Sequence, residues 1–203
     1  MAASRAHTLV LALHYQNETV HPQGRIRVGI AEQSNERANI IAAAKTLLDG
    51  ARRHGIPVIS VRIAFRPDFE DVTQNAEIWK RVVANKAMAE GSWGAAFYEG
   101  LGPVGDEPVI THNRNNPFHD STLDDAVMHF DPDRLVIAGI STTYVVESAV
   151  RHASDLGYEV IVAADACSSA TREAHEASLS AMAMLATIKT SAEVVAGFAG
   201  GRP

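Results

Sequence analysis

The sequence contains a single cysteine, Cys167, among its 203 residues, so no disulfide can form within the chain. A reducing compartment fits that usage. Positive charge is also in short supply: 18 Lys and Arg stand against 24 Asp and Glu, a formal net charge of −6. Such a balance leaves no basic footprint and speaks against nucleic acid or an anionic membrane as a partner. No apolar run reaches the length of a transmembrane helix. Met1–Thr8 lacks the apolar core of a secretory signal. No G-x-G-x-x-G follows the first apolar run and no G-x-x-x-x-G-K-[ST] occurs, so dinucleotide and P-loop nucleotide binding lose their main support. Repeats, low-complexity segments and internal linkers are absent too. The expectation is one domain over residues 1–203, a cytoplasmic enzyme or small-molecule-binding protein without a cofactor.

The remaining composition is that of an ordinary soluble domain, with 46% apolar and 21% charged residues. Thr8–Leu13 is an uninterrupted apolar run, the mark of a central parallel strand covered on both faces. Ser34 or Asn35 can cap a helix to about His54, whose Ile40, Ala44, Leu47, Leu48 and Ala51 share one face. Gly55 stops it and Pro57 blocks its continuation. Val58–Ile63, Pro108–Thr111, Arg134–Ala138 and Glu159–Ala164 read as further strands, and Ile188 as part of a last short one. Ser121 with Asp124 resembles a capping box for a helix through Met128. Helices are also predicted from about Thr143 to Leu156, over Glu173–Ala186 and over Ser191–Phe198. Residues 65–105 carry both tryptophans and little regular pattern; they form either a lid or subunit contact, or a cover for one sheet edge. About six strands alternating with helices predict an α/β protein, a three-layer α/β/α sandwich around a mostly parallel sheet.

Ligands of such sheets bind beyond the carboxyl ends of the strands. Three of those ends carry polar or turn-forming residues: His14-Tyr15-Gln16-Asn17, His112-Asn113-Arg114, and the turn Gly139–Val145. Two imidazoles at neighbouring strand ends suit proton transfer near neutral pH. Sharing one pocket, each would disfavour the other's charged form and leave at least one neutral. Neutral imidazoles are also common zinc ligands, with His21, His119 or Glu18 as a third donor. No tight ligand spacing of a known zinc motif is present, so no metal is expected.

In order along the chain stand His14-x-Gln16-Asn17, His21-Pro22-x-Gly24, His112-x-Arg114-x-x-x-Phe118-x-x-Ser121-Thr122-Leu123, Gly139-Ile140-Ser141-Thr142-Thr143-Tyr144-Val145-Val146, and Asp165-Ala166. As a set they resemble the isochorismatase-like family of cysteine hydrolases over roughly Thr8 to Val195. The resemblance implies that family's fold and a homodimer or homotetramer acting on a small molecule. It also implies a catalytic triad of Asp, Lys and Cys, and here the three positions hold His14, His112 and Val145. Valine cannot attack a carbonyl, so the acyl-enzyme route through a thiolate is closed at that position. Cys167 follows a different strand and reads as a buried, inert thiol.

The resemblance further implies an oxyanion hole from the backbone N–H groups of Ser141 and Val145, beside a non-proline cis peptide at Ile140–Ser141. It implies a pocket-lining role for Gln16. Arg114 pairs with an acidic group or with substrate, Tyr144 sits beside the vacant nucleophile position, and Trp93 either packs its own segment or walls the pocket. Glu147 reads as a helix-packing or inter-subunit residue. Some relatives that cleave a vinyl ether lack the cysteine, and His14 as imidazolium could supply the proton their first-strand acid gives. Two functions stay open. One is a hydrolase of a small amide, vinyl ether or related bond that uses His14 and His112 as acid and base. The other is a catalytically inactive relative that binds a small molecule or works through oligomer contacts.

Overall fold

The computed structural model describes residues 7–26 and 34–198, with the side chains of positions 34 and 35, and so the predicted Ser34 or Asn35 cap, outside the described part. Six strands form one sheet: β1 (Thr8–Leu13), β2 (Val58–Ile63), β3 (Val109–His112), β4 (Arg134–Gly139), β5 (Glu159–Ala163) and β6 (Thr187–Lys189). The spatial order is β3-β2-β1-β4-β5-β6 and every pairing is parallel. The helices are α1 (Asn17–Val20), α2 (Ser34–Arg53), α3 (Glu77–Ala84), α4 (Leu123–Phe130), α5 (Glu147–Asp155), α6 (Arg172–Met182) and α7 (Ser191–Phe198).

From β1 the chain builds outward to β2 and β3, then returns and builds the other way through β4, β5 and β6. The direction reverses between β1 and β4, which opens the crevice beyond their carboxyl ends to a ligand. β1 is buried at all six positions because a neighbour flanks each edge and helices cover both faces. It pairs with β4 from Thr8↔Arg134 to Leu13↔Gly139, so the two strands end together. At that end the Ile140 N–H donates to the Leu13 carbonyl at 3.0 Å. A Cβ on Gly139 would lie 2.3 Å from the Leu13 carbonyl oxygen and 2.6 Å from the Leu13 Cβ. Only glycine permits that approach.

Several boundaries differ from the sequence reading. The predicted strand at 108–111 is shifted by one, so His112 ends β3 rather than following it. The helix expected from Thr143 opens as a π-helical turn over Thr142–Val146, in which the Ser141 carbonyl accepts from the Val146 N–H at 3.2 Å, and becomes α5 only at Glu147. α6 ends at Met182 because Thr187–Lys189 is drawn into pairing with β5. The capping box fails: Thr122 is the N-cap residue of α4 without a side-chain cap, and the Ser121 hydroxyl instead accepts from the Leu123 N–H at 3.2 Å. Gly55 does turn the chain out of α2, at φ +65°.

Residues 65–105 hold α3, which periodicity missed because it spans only eight residues. Trp79 and Val82 of that helix pack with Ile63, Phe65, Val72 and Met88 into a second, smaller core beside the main one. The insertion therefore builds a wall against the sheet end. Substituting Gly139→Ala should destabilise the protein by about 2–3 kcal/mol, because the backbone that meets the new methyl cannot rotate away. Urea unfolding, compared with Gly197→Ala where an added Cβ has open space, checks the expectation.

Candidate active site

The strand ends converge as the topology requires, with one correction. His14 and His112 are not on neighbouring strands: β2 lies between β1 and β3. Their backbones are therefore about 10 Å apart, two strand spacings. The side chains close that gap across the end of β2. His14 takes φ +56°, unusual for a residue with a side chain, immediately after β1. Its N–H donates to the Val61 carbonyl at 2.8 Å and its carbonyl accepts from the Thr19 hydroxyl at 2.5 Å. On the other side, the His112 carbonyl accepts from the Ala64 N–H at 3.1 Å. The two rings then meet edge to edge, their centroids 4.8 Å apart and their planes inclined by 27°, with His14 Nε2 and His112 Nε2 2.5 Å apart.

At that separation one nitrogen must carry the proton and the other accept it. Both rings are buried. Burial holds His14 well below the ordinary imidazole range, and the neighbouring His112 lowers it further. Burial alone pushes His112 down to about 4. Both rings are thus neutral at pH 7, and desolvation, not mutual repulsion, is the main reason. The neutral form agrees with the expectation that at least one ring stays uncharged, and a proton given by His14 must first be taken up.

His14 opens onto a cavity of about 40 Å³, room for two or three waters. The turn Ile140–Ser141, Tyr144 and Val145 form one side of it, and Ile63, Phe65, Trp79, Val82 and Met88 the other. Val145 is buried, while Tyr144 is 41% exposed at the edge. The Ile140–Ser141 peptide is cis, as the resemblance implies.

The other candidates fall into different places. Gln16 is fully buried and spends its whole amide on backbone: it donates to the carbonyls of Ile63 and Ala95 and accepts from the Ile63 N–H, each at 2.8–2.9 Å. It clamps the end of β2 to the insertion. Arg114 donates to the Thr73 carbonyl at 3.4 Å and lies over the Trp79 ring. Trp93 is half exposed, with its ring edge-on to His21, and is not among the residues that line the cavity. Glu147 packs helices, accepting from the Ser178 hydroxyl at 2.7 Å and pairing with Arg151. Glu18, one of the possible third metal ligands, is buried against Arg25. Among the described residues no three His, Cys, Asp or Glu side chains group as a metal site.

Cys167 is buried, donates its thiol to the Ala163 carbonyl, and is pushed by burial to a pKa of about 12. Sequence reasoning missed Trp79, Thr19 and Asn115, which all line the cavity. The density of polar residues after His112 was the one available signal for Asn115.

A three-layer α/β fold with a parallel sheet in the order β3-β2-β1-β4-β5-β6 and its crevice at the β1/β4 switch is an isochorismatase-like architecture. The isochorismatase domain family matches residues 8–193, and the chain belongs to that family. It is 30% identical over 144 residues to the uncharacterized isochorismatase family protein YecD of Escherichia coli O157:H7, covering 69% of this chain and 72% of that one. It is 28% identical over 171 residues to the ureidoacrylate amidohydrolase RutB of Azorhizobium caulinodans, covering 78% and 75%. A cysteine hydrolase from Pseudomonas syringae pv. phaseolicola 1448A superposes with a TM-score of 0.85 at 21% identity, covering 98% of this chain and 96% of that one.

Two outcomes follow from the burial of these groups. In the unfolded chain each histidine takes up a proton near pH 6.5, whereas in the folded protein both stay neutral to lower pH. The unfolded state then binds more protons, so stability falls on acidification, starting below about pH 6.5 and continuing towards pH 4, by up to about 1.4 kcal/mol per pH unit for each ring. Denaturant unfolding between pH 4 and 8 measures this, and His112→Gln should make the slope shallower. For the thiol, iodoacetamide at about pH 8 should leave Cys167 unmodified in the folded protein and label it fully in urea, as read by intact mass.

Proposed function

We propose that the protein is a hydrolase of a small amide or related C–N or C–O bond, in which the His14–His112 pair acts as the acid–base group and water is the nucleophile. The single observation that carries this reading is the 2.5 Å contact between the two Nε2 atoms at the wall of a cavity shared with Ser141 and Val145. Membership of a family whose named relatives include an amidohydrolase supports the bond class.

The proton steps are simple. Both Nε2 atoms are occupied by one another, so the proton released by water as it attacks the carbonyl is taken up at the free Nδ1 of the ring that donates its Nε2–H, and the resulting charge is shared through the Nε2–Nε2 contact. The pair then returns that proton to the leaving group. The Ser141 and Val145 backbone N–H groups are the donors assigned to the developing oxyanion, a role a valine fills as well as a cysteine does. Cys167, neutral and facing a backbone carbonyl, takes no part.

A second reading has its own observation. Val145, at the position the family resemblance assigns to the nucleophile, is buried and lines the cavity with an unreactive side chain, which suits a relative that binds a small ligand without turning it over. Kinetics separate the two. Against a substrate found by screening amides and vinyl ethers, His14→Ala and His112→Ala should each lower kcat/KM by about 100-fold or more. Because burial depresses both rings, the wild-type rate should be flat above about pH 6.5 and decline towards pH 4 as the base form is lost. Full activity in both variants would sink this mechanism, and absence of turnover across the screen favours the binding reading.

A further inference from the structure

We infer that the cavity selects a small, uncharged ligand and rejects carboxylates. The inference concerns binding and rests on the proposed function only for the location of the site. Three observations carry it. First, no Lys, Arg, Asp or Glu lines the cavity among the described residues; its walls are Ile63, Phe65, Trp79, Val82, Met88 and Val145. Second, its polar lining is uncharged: Thr19, Asn115 and Ser141, and His14, whose ring is neutral at pH 7 because burial and the adjoining His112 penalise its charged form. Third, three arginines of the described flanking segments are committed elsewhere. Arg25 is held by Glu18 and by the Asn85 and Lys86 carbonyls. Arg62 pairs with Glu90. Arg114 lies over Trp79 and donates to the Thr73 carbonyl.

An anion entering this space would lose its water and gain no opposite charge. Burying an ionised carboxylate without a partner is among the most unfavourable changes available to a protein site. A neutral amide faces no such penalty: its dipole can be met by an imidazole and by the turn at 140–145, and its alkyl end by the apolar wall.

The test is a binding comparison in the intact protein at pH 7, read by saturation-transfer NMR with competition. Acetamide and propionamide are set against succinamate and propionate. The neutral amides should bind at least about tenfold more tightly than either carboxylate. Filling the cavity with Val82→Phe, checked for folding by circular dichroism, should abolish their binding. Equal or tighter binding of the carboxylates overturns the inference. So does binding of neither class, or neutral binding that survives Val82→Phe in a folded variant. A neutral amide that binds but is not hydrolysed keeps this assignment and removes the hydrolase reading. Hydrolysis of a carboxylate-bearing amide does the reverse.

Discussion

The pairing of β1 with β4 over six residues in parallel register is the constraint on which the site depends. It puts the last residues of both strands at one level and forces the following turns to diverge from a common edge. Gly139 makes this possible, because its missing side chain lets the β4 end lie directly on the Leu13 carbonyl. From that edge His14 is thrown out on one side and the turn 140–145 on the other. Gln16 then fixes the end of β2 by holding both the N–H and the carbonyl of Ile63. With β2 pinned, β3 follows in register, and His112 arrives where it can reach across to His14.

Much of this was legible in the sequence, for physical reasons that differ by element. β1, β4 and β5 could be read because a strand covered on both faces is apolar at successive positions. α2 could be read because a long amphipathic helix repeats its stripe over five turns. The end positions of His14 and His112 followed from strand boundaries alone. Their meeting did not. Strand order is a tertiary property, and a sequence that places two histidines at strand ends does not say that a third strand separates them. The nature of the contact depends on that order: side chains must lean over β2, so they meet tip to tip and become buried. The wall of the cavity was equally hidden. Trp79 and Val82 lie on a two-turn helix, too short to show a periodic stripe, and they pack against residues from three different segments, among them Ile26, Phe65 and Met88.

Burial reverses an expectation that composition alone suggests. Two histidines in one pocket invite an account in which each repels the other's charge. Here the larger effect is the loss of water around both rings, which neutralises them before repulsion matters. The contact is then a hydrogen bond between neutral rings, and it keeps two buried polar groups satisfied without importing a charge. Burying an ion pair brings a desolvation cost for each member and a large penalty when one member is lost. A neutral pair carries neither.

That asymmetry bears on the triad that the family resemblance assigns to positions 14, 112 and 145. An aspartate at position 14 facing a lysine at position 112 would be a buried ion pair. Changing only the first to histidine would leave a buried ammonium beside a neutral ring; changing only the second would leave a carboxylate with a ring that burial discourages from protonating. Each intermediate strands a charge. Replacing both restores a satisfied contact at zero net charge. Once the ion pair is gone, a thiol at position 145 loses the nearby cation that would stabilise its thiolate, and the apolar valine matches the surrounding wall. On the proposed reading, the site is a second self-consistent arrangement on the same scaffold, not the first with parts removed.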